Sequence, residues 1–342
     1  ARLERVLAKN PEDTLLRLRY ARLLTGTDMK AAREQFEILS AQSPRDPDLL
    51  FSLALINREI GDDLAASAYL RQVVALGARA DEANYYLGRI AEDRGQLDEA
   101  VSYYMQVGDS REFLPAASRV GTILVDSGQL ERNAGWFESR REAFPQRREA
   151  LYGLEADLLG QAGDSDAALA LLDRALADEP ESTALRYARA MLLEQRGDLD
   201  AMEQELRRIL REDPDNATAL NALGYTLANR TGRYSEALQL ISRALELEPN
   251  EPAIMDSMGW VLYRTGQYQE ALDYLTRAYA SFPDPEVAAH LGEVMWVTGD
   301  TEGARAVWQA AALRDPDHPV LRETLERLNV GPLEGAAAAD QP

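Results

Sequence analysis

Small and bulky apolar residues recur along this chain in a fixed order, most clearly between residues 217 and 316. Three segments align on Gly224, Gly259 and Gly292. An apolar residue precedes each glycine (Leu223, Met258, Leu291), and another follows three positions later (Leu227, Leu262, Met295). An alanine stands twelve or thirteen residues beyond the glycine (Ala237, Ala271, Ala304), with a bulky residue four further on (Ile241, Leu275, Trp308). A proline closes each segment (Pro249, Pro283, Pro316), giving a period of about 34 residues. Glycine and alanine at fixed points let two antiparallel helices approach closely, and the bulky residues fill the gaps between them. One such hairpin cannot bury its apolar face alone, so the repeat predicts a stacked array.

Carried along the chain, the same register gives nine units over residues 13–318. They start near 13, 47, 81, 114, 149, 183, 217, 252 and 285, with glycine at most turns and proline at most exits. The unit near 114 departs from the pattern, because Asn133 stands where alanine is expected, and looser packing is predicted there. It also holds Arg140, Arg141, Arg147 and Arg148, the most basic patch of the chain. Residues 1–12 read as the end of a preceding second helix, with Leu3 and Val6 inward. On that reading the chain begins inside a longer protein. Residues 319–329 read as a capping helix with a polar outer face, and 330–342 as a disordered tail. Leu16 and Leu23 are placed on the first helix of the first unit. The expected fold class is all-α.

Composition narrows the function. No run of about 18 apolar residues occurs, so no transmembrane segment is encoded here. The chain has no cysteine, which removes disulfides, thiol catalysis and thiolate metal sites. A formal charge of −21 argues against nucleic acid and anionic lipid as main partners. Lys9 and Lys30 are the only lysines and neither stands in a phosphate-binding loop. His290 and His318 are the only histidines, 28 residues apart, so a two-histidine metal site is not expected. No nucleophile elbow is present, and the acidic residues are scattered over helix surfaces. No catalytic residue, metal or cofactor is called.

The glycine, alanine and bulky positions quoted above resemble the tetratricopeptide repeat family. The resemblance covers about 13–318 and implies a right-handed superhelical solenoid of helix hairpins. It also implies that first helices line a concave groove, at positions two, five, nine, twelve and thirteen of each unit. In this register those positions give Tyr85, Arg89, Tyr187, Asn221, Tyr225, Asn229, Asp256, Trp260, Tyr263, Arg264 and Trp296 as partner-binding candidates. Phe51, Leu55 and Met191 also fall in the register. Tyr103, Tyr104, Tyr268, Tyr274 and Trp308 lie on second helices or turns and read as structural. The carboxylate clamp of chaperone-binding members needs Lys at position five and Asn at position nine, and no unit has that pair.

The segments LGYTLANRTGRYSEALQLISRALELEP and DSMGWVLYRTGQYQEALDYL are more particular. They resemble proteobacterial outer-membrane tetratricopeptide lipoproteins that serve a carboxyl-terminal processing protease. That resemblance implies a non-catalytic adaptor in the periplasm, tethered to the outer membrane by a lipid anchor in a missing amino-terminal part. Its partners would be the protease and its protein substrates, hydrolases of peptidoglycan cross-links. The alternative is a structural scaffold of an envelope assembly or exopolysaccharide secretion complex.

Overall fold

A computed structural model describes residues 2–331 and residue 333. Every regular element among them is helical. Contacts divide the chain into two compact units, Ala1–Pro180 and Glu181–Pro342.

The first unit contains α1 (Arg2–Leu7), α2 (Thr14–Leu24), α3 (Met29–Gln42), α4 (Pro47–Glu59), α5 (Asp63–Leu76) and α6 (Ala80–Asp93). It continues through α7 (Leu97–Tyr104), α8 (Phe113–Asp126), α9 (Ala134–Ala143), α10 (Arg148–Gln161) and α11 (Ser165–Asp178). From α2 onward, helices of odd and even number pack as antiparallel neighbours. The exception is α9. A tight turn at Glu131–Asn133 delays its start, and its backbone lies nearest α10, while Phe137 is buried in the core that α8 lines. Gly121 of α8 accepts Leu158 of α10 instead, where an added Cβ would lie 2.0 Å from the leucine side chain. The polar Asn133 thus marks the place where the hairpin opens.

In the second unit the pairs are α12 (Thr183–Gln195) with α13 (Leu199–Glu212), and α14 (Ala217–Thr226) with α15 (Tyr234–Leu247). They are followed by α16 (Pro252–Arg264) with α17 (Tyr268–Ser281), and α18 (Pro285–Thr298) with α19 (Thr301–Ala312). One apolar core runs from Ala190 to Val294. The last helix, α20 (Pro319–Arg327), packs on α18 and buries Leu321 beside Trp308.

Local chemistry sets the turns. Gly299 ends α18 at φ 100°, in the left-handed region, and Asp300 then accepts the Gly303 N–H at 2.9 Å to start α19. The unit at 217 has one residue more between its glycine and alanine than the next two units. That residue is absorbed as a π-helical turn at Leu227–Thr231.

Two sequence expectations differ from the structure. Val6 is exposed and Leu7 is the buried residue of α1, because the short helix turns a different face inward. Leu16 and Leu23 do lie on α2, where Ala21 is the buried apolar residue. In the tail, Val330 and Leu333 pack against the Trp308 cluster, whereas residues 332 and 334–342 lie outside the described residues.

Close approach explains the glycine register. A Cβ added at Gly259 would sit 2.5 Å from Leu275 and 3.1 Å from the Ala271 carbonyl. Gly153, in the middle of α10, has nothing within 4 Å. Gly259→Ala is therefore expected to destabilise by about 1–3 kcal/mol through overpacking. Gly153→Ala is expected to stabilise by about 0.4–1 kcal/mol through the unfolded state. Thermal or urea melts of the two variants check this, and the same sign for both contradicts it.

Candidate functional site

The first helices of consecutive pairs in the second unit carry a connected polar and aromatic cluster. Each helix is positioned by its glycine contact to the partner helix. The residues on its opposite side then face those of the next first helix. Asp256 and His290 meet in this way, 34 residues apart. His290 Nδ1 lies 3.0 Å from both Asp256 oxygens, and its ring stacks on Trp260 at 4.2 Å. His290 is 2% exposed.

The cluster extends in both directions. Tyr225 donates its hydroxyl to Glu286 at 2.8 Å and stands 3.5 Å from His290 Nε2. Tyr263 donates to Glu293 at 2.9 Å. Arg327 of α20 completes the cluster by donating twice to the same carboxylate, at 2.8 and 2.6 Å. Glu293 is almost fully buried, so this two-pronged bond is what permits its charge there.

Electrostatics follow from the geometry. Burial lowers the pKa of His290, but the Asp256 carboxylate, its hydrogen bond, and the charges of Glu286 and Glu293 outweigh burial, so the net shift is upward. Tyr225 is pushed well above the ordinary phenol range, first by burial and then by the charges of Glu286 and Asp256. Tyr263 is raised by burial and by Glu293. Both tyrosines remain neutral donors.

Two cavities open against this cluster. The first, about 740 Å³, is lined by Tyr225, Asn229, Trp260, Tyr263 and Arg264 among the register residues. Arg230, His290, Glu293 and Arg327 also line it, as does Tyr268. The second, about 760 Å³, is lined by Tyr187, Asn221, Tyr225, Asn229 and Asp256, with Met191, Phe282 and Val287. Asn229 reaches both cavities from the π-helical turn. The indole N–H of Trp260 and the side-chain oxygen of Asn221 have no hydrogen-bond partner.

Eight of the eleven register residues thus fall on the two cavities. Trp296 does not. It packs toward Trp308 at 5.8 Å with Arg305 over its face, because the bulky residue opposite Gly292 is itself a tryptophan. Tyr85 and Arg89 belong to α6 of the first unit, where Tyr85 packs against Tyr86 and Tyr104 and its hydroxyl raises the Arg89 guanidinium. Tyr268, read as structural, is 43% exposed and borders the first cavity. Phe51 is buried beneath Arg79.

The sequence reading passed over His290, Glu286, Glu293 and Arg327. His290 is considered there only as a metal ligand; it lies 34 residues after Asp256 but one position off the glycine register, in which Asp256 aligns with Ala289. No group of three or more metal-ligating side chains occurs among the described residues. The basic patch of the first unit is engaged internally. Arg141 pairs with the buried Glu155, Arg147 with Asp109, and Arg140 lies over Trp136 and Phe144. No helix among the described residues is long and apolar enough to cross a membrane.

Profiles described as tetratricopeptide repeat match residues 215–284, 159–224, and 63–108 together with 257–319, more than half of the chain. A tetratricopeptide repeat-containing protein of Pseudomonas aeruginosa is 42% identical over 248 residues. The match spans 72% of this chain but only 42% of that protein. A crystal structure of a tetratricopeptide repeat protein from Parabacteroides merdae aligns at a TM-score of 0.50 and 15% identity, over 82% of this chain and 97% of that one. A thermophilic protein of Thermus thermophilus with the same repeats aligns at 0.47 and 22% identity, over 53% of this chain and 100% of that one. The Parabacteroides likeness bears on the fold alone.

The raised value of His290 makes a signed prediction. A charge stabilised in the folded state contributes fully below the unfolded histidine value of about 6.5 and is lost as pH rises through the raised value. Wild type should therefore lose more stability than His290→Gln between about pH 6 and pH 9. Melts at both pH values measure the difference, and imidazole NMR gives the midpoint directly. A His290 midpoint at or below about 6.5 contradicts the assignment.

Proposed function

Since the chain belongs to the tetratricopeptide repeat family, a family of protein–protein interaction scaffolds, we propose that it is a non-catalytic adaptor whose second unit docks a partner protein. The observation that carries this reading is the pair of cavities along α12, α14, α16 and α18, with aromatic walls and hydrogen-bonding groups at their rims. Aromatic anchors beside polar groups on an unfilled surface are the usual make-up of a hot spot. The tyrosines are fixed by Glu286 and Glu293, so they are held ready rather than ordered on binding.

The partner proposed is a carboxyl-terminal processing protease of the bacterial periplasm, together with the peptidoglycan cross-link hydrolases it degrades. This rests on the resemblance carried by residues 217–283, and the curated relative of Pseudomonas aeruginosa supports a proteobacterial origin. Holding protease and substrate on one scaffold raises the effective concentration of one at the other. The lipid anchor at the outer membrane belongs to the same proposal.

Affinity capture from envelope extracts, followed by a cleavage assay with and without this protein, tests the assignment. Faster hydrolase cleavage in its presence is expected. Capture of a secretion pore with unchanged cleavage points instead to a structural scaffold. Tyr263→Ala should weaken partner binding by about 2 kcal/mol or more, while Arg243→Ala, on the second-helix face of α15, should leave it within about 0.5 kcal/mol. Calorimetry on variants with unchanged melts checks this, and equal affinities for both would move the docking surface elsewhere.

A further inference from the structure

We infer that the second cavity selects an extended protein segment that presents a lysine or arginine beside an apolar side chain. The inference rests on the adaptor reading and specifies the chemistry of what is held. Five carboxylates line this cavity, Glu194, Glu251, Asp256, Asp284 and Glu286, and no lysine, arginine or histidine does. Two of them are matched from behind. Arg230 bonds Glu194 at 3.0 Å, and His290 pairs with Asp256. The other three meet only neutral groups. Glu286 accepts the Tyr225 phenol, Asp284 accepts the Glu286 N–H at 2.8 Å, and Glu251 has no ion-pair partner among the described residues.

Magnitudes decide the sign. Three carboxylates remain without a cation, and Glu251 and Asp284 sit at the N-termini of α16 and α18. Each helix end contributes about half a positive charge, so roughly two negative charges remain unbalanced. The charges of Glu286 and Asp256 act on both Tyr225, which burial raises first, and His290, which they raise against burial. A neutral segment seated here would strip water from Glu286 and Asp284 without replacing it, which is unfavourable for a buried charge. A guanidinium or ammonium group removes that cost.

The remaining surface fits the rest of such a segment. Phe282 is 57% exposed at the rim, and Tyr187, Met191 and Val287 supply apolar wall. Lysine and arginine bury their methylene stems along such surfaces and place their heads against aromatic faces. The Asn221 side-chain oxygen is an acceptor with no hydrogen-bond partner. A chain of net charge −21 also draws a basic segment from a distance.

Fluorescence anisotropy with the whole chain tests this. The probes are labelled peptides that share one set of apolar positions and carry a central Arg-Lys, Gln-Gln or Glu-Glu pair. The basic peptide should bind at least about tenfold tighter than the neutral one, with a salt dependence the neutral one lacks. Joint replacement Glu251→Gln and Glu286→Gln should remove that preference, with basic and neutral peptides then binding alike. Glutamine at 286 still accepts the Tyr225 hydroxyl, and unchanged melts confirm folding. Phe282→Ala should weaken all peptides that bind. Equal binding of basic and neutral peptides overturns the charge selection and leaves the adaptor reading standing. Failure of every peptide to bind counts against docking in this cavity altogether. A concentration-dependent dimer abolished by Phe282→Ala would overturn the inference in favour of a second copy of the chain.

Discussion

The close approach of paired helices is the constraint on which everything else depends. At Gly224, Gly259 and Gly292 the backbone of a first helix meets Ile241, Leu275 and Trp308 with no room for a Cβ. This contact fixes how far each first helix is rotated about its axis. Once rotation is fixed, the side chains on the far side of the helix are fixed too. Repetition at about 34 residues then brings corresponding faces of successive helices side by side. Asp256 meets His290 and Glu293 meets Arg327 across that interval. A packing rule on one face of the helix therefore writes a polar network on the other.

That network would be costly if it were incomplete. A buried histidinium, aspartate or glutamate alone is strongly unfavourable, and breaking a buried pair typically costs about 3–5 kcal/mol. Here His290 has Asp256 on one side and the Trp260 face on the other, and Glu293 has Arg327 and Tyr263. What the network holds in place is the three first helices α14, α16 and α18 together with α20. Rigidity at the wall of a binding cavity lowers the ordering cost of binding, which is one reason such a cluster suits a docking surface.

The fold was legible because it depends on residue size at fixed spacing, and size is written directly in the sequence. The places where the rule weakened were legible as well. Asn133 announced the displaced α9, and the extra residue before Ala237 became the π-helical turn. Tyr225, Asn229, Trp260, Tyr263 and Arg264 could be placed on one surface from register alone. Their partners could not. Whether Glu293 serves as an acceptor depends on Arg327, which belongs to the last helix rather than to another copy of the unit. Trp296 failed for the same kind of reason. Its register is right, but Trp308 is larger than the Ile241 and Leu275 that precede it, and the two indoles pack together.

The two units differ in how their charges close. In the first unit Arg141, Arg147 and Arg79 each find carboxylates, and the aromatic rings of Phe51 and Phe144 lie beneath arginines. Burial raises Glu155 even though Arg141 pairs with it. In the second unit Arg230, His290 and Arg327 line the first cavity, and the carboxylates of Glu251, Asp284 and Glu286 line the second, where no cationic side chain does. Charges satisfied from within stabilise a fold. Charges left facing an open cavity, at positions where helix geometry would have allowed a partner, are a cost to the unbound protein that a cationic ligand relieves. This difference in charge closure supports the docking surface proposed for the second unit on grounds that do not depend on the family of the chain.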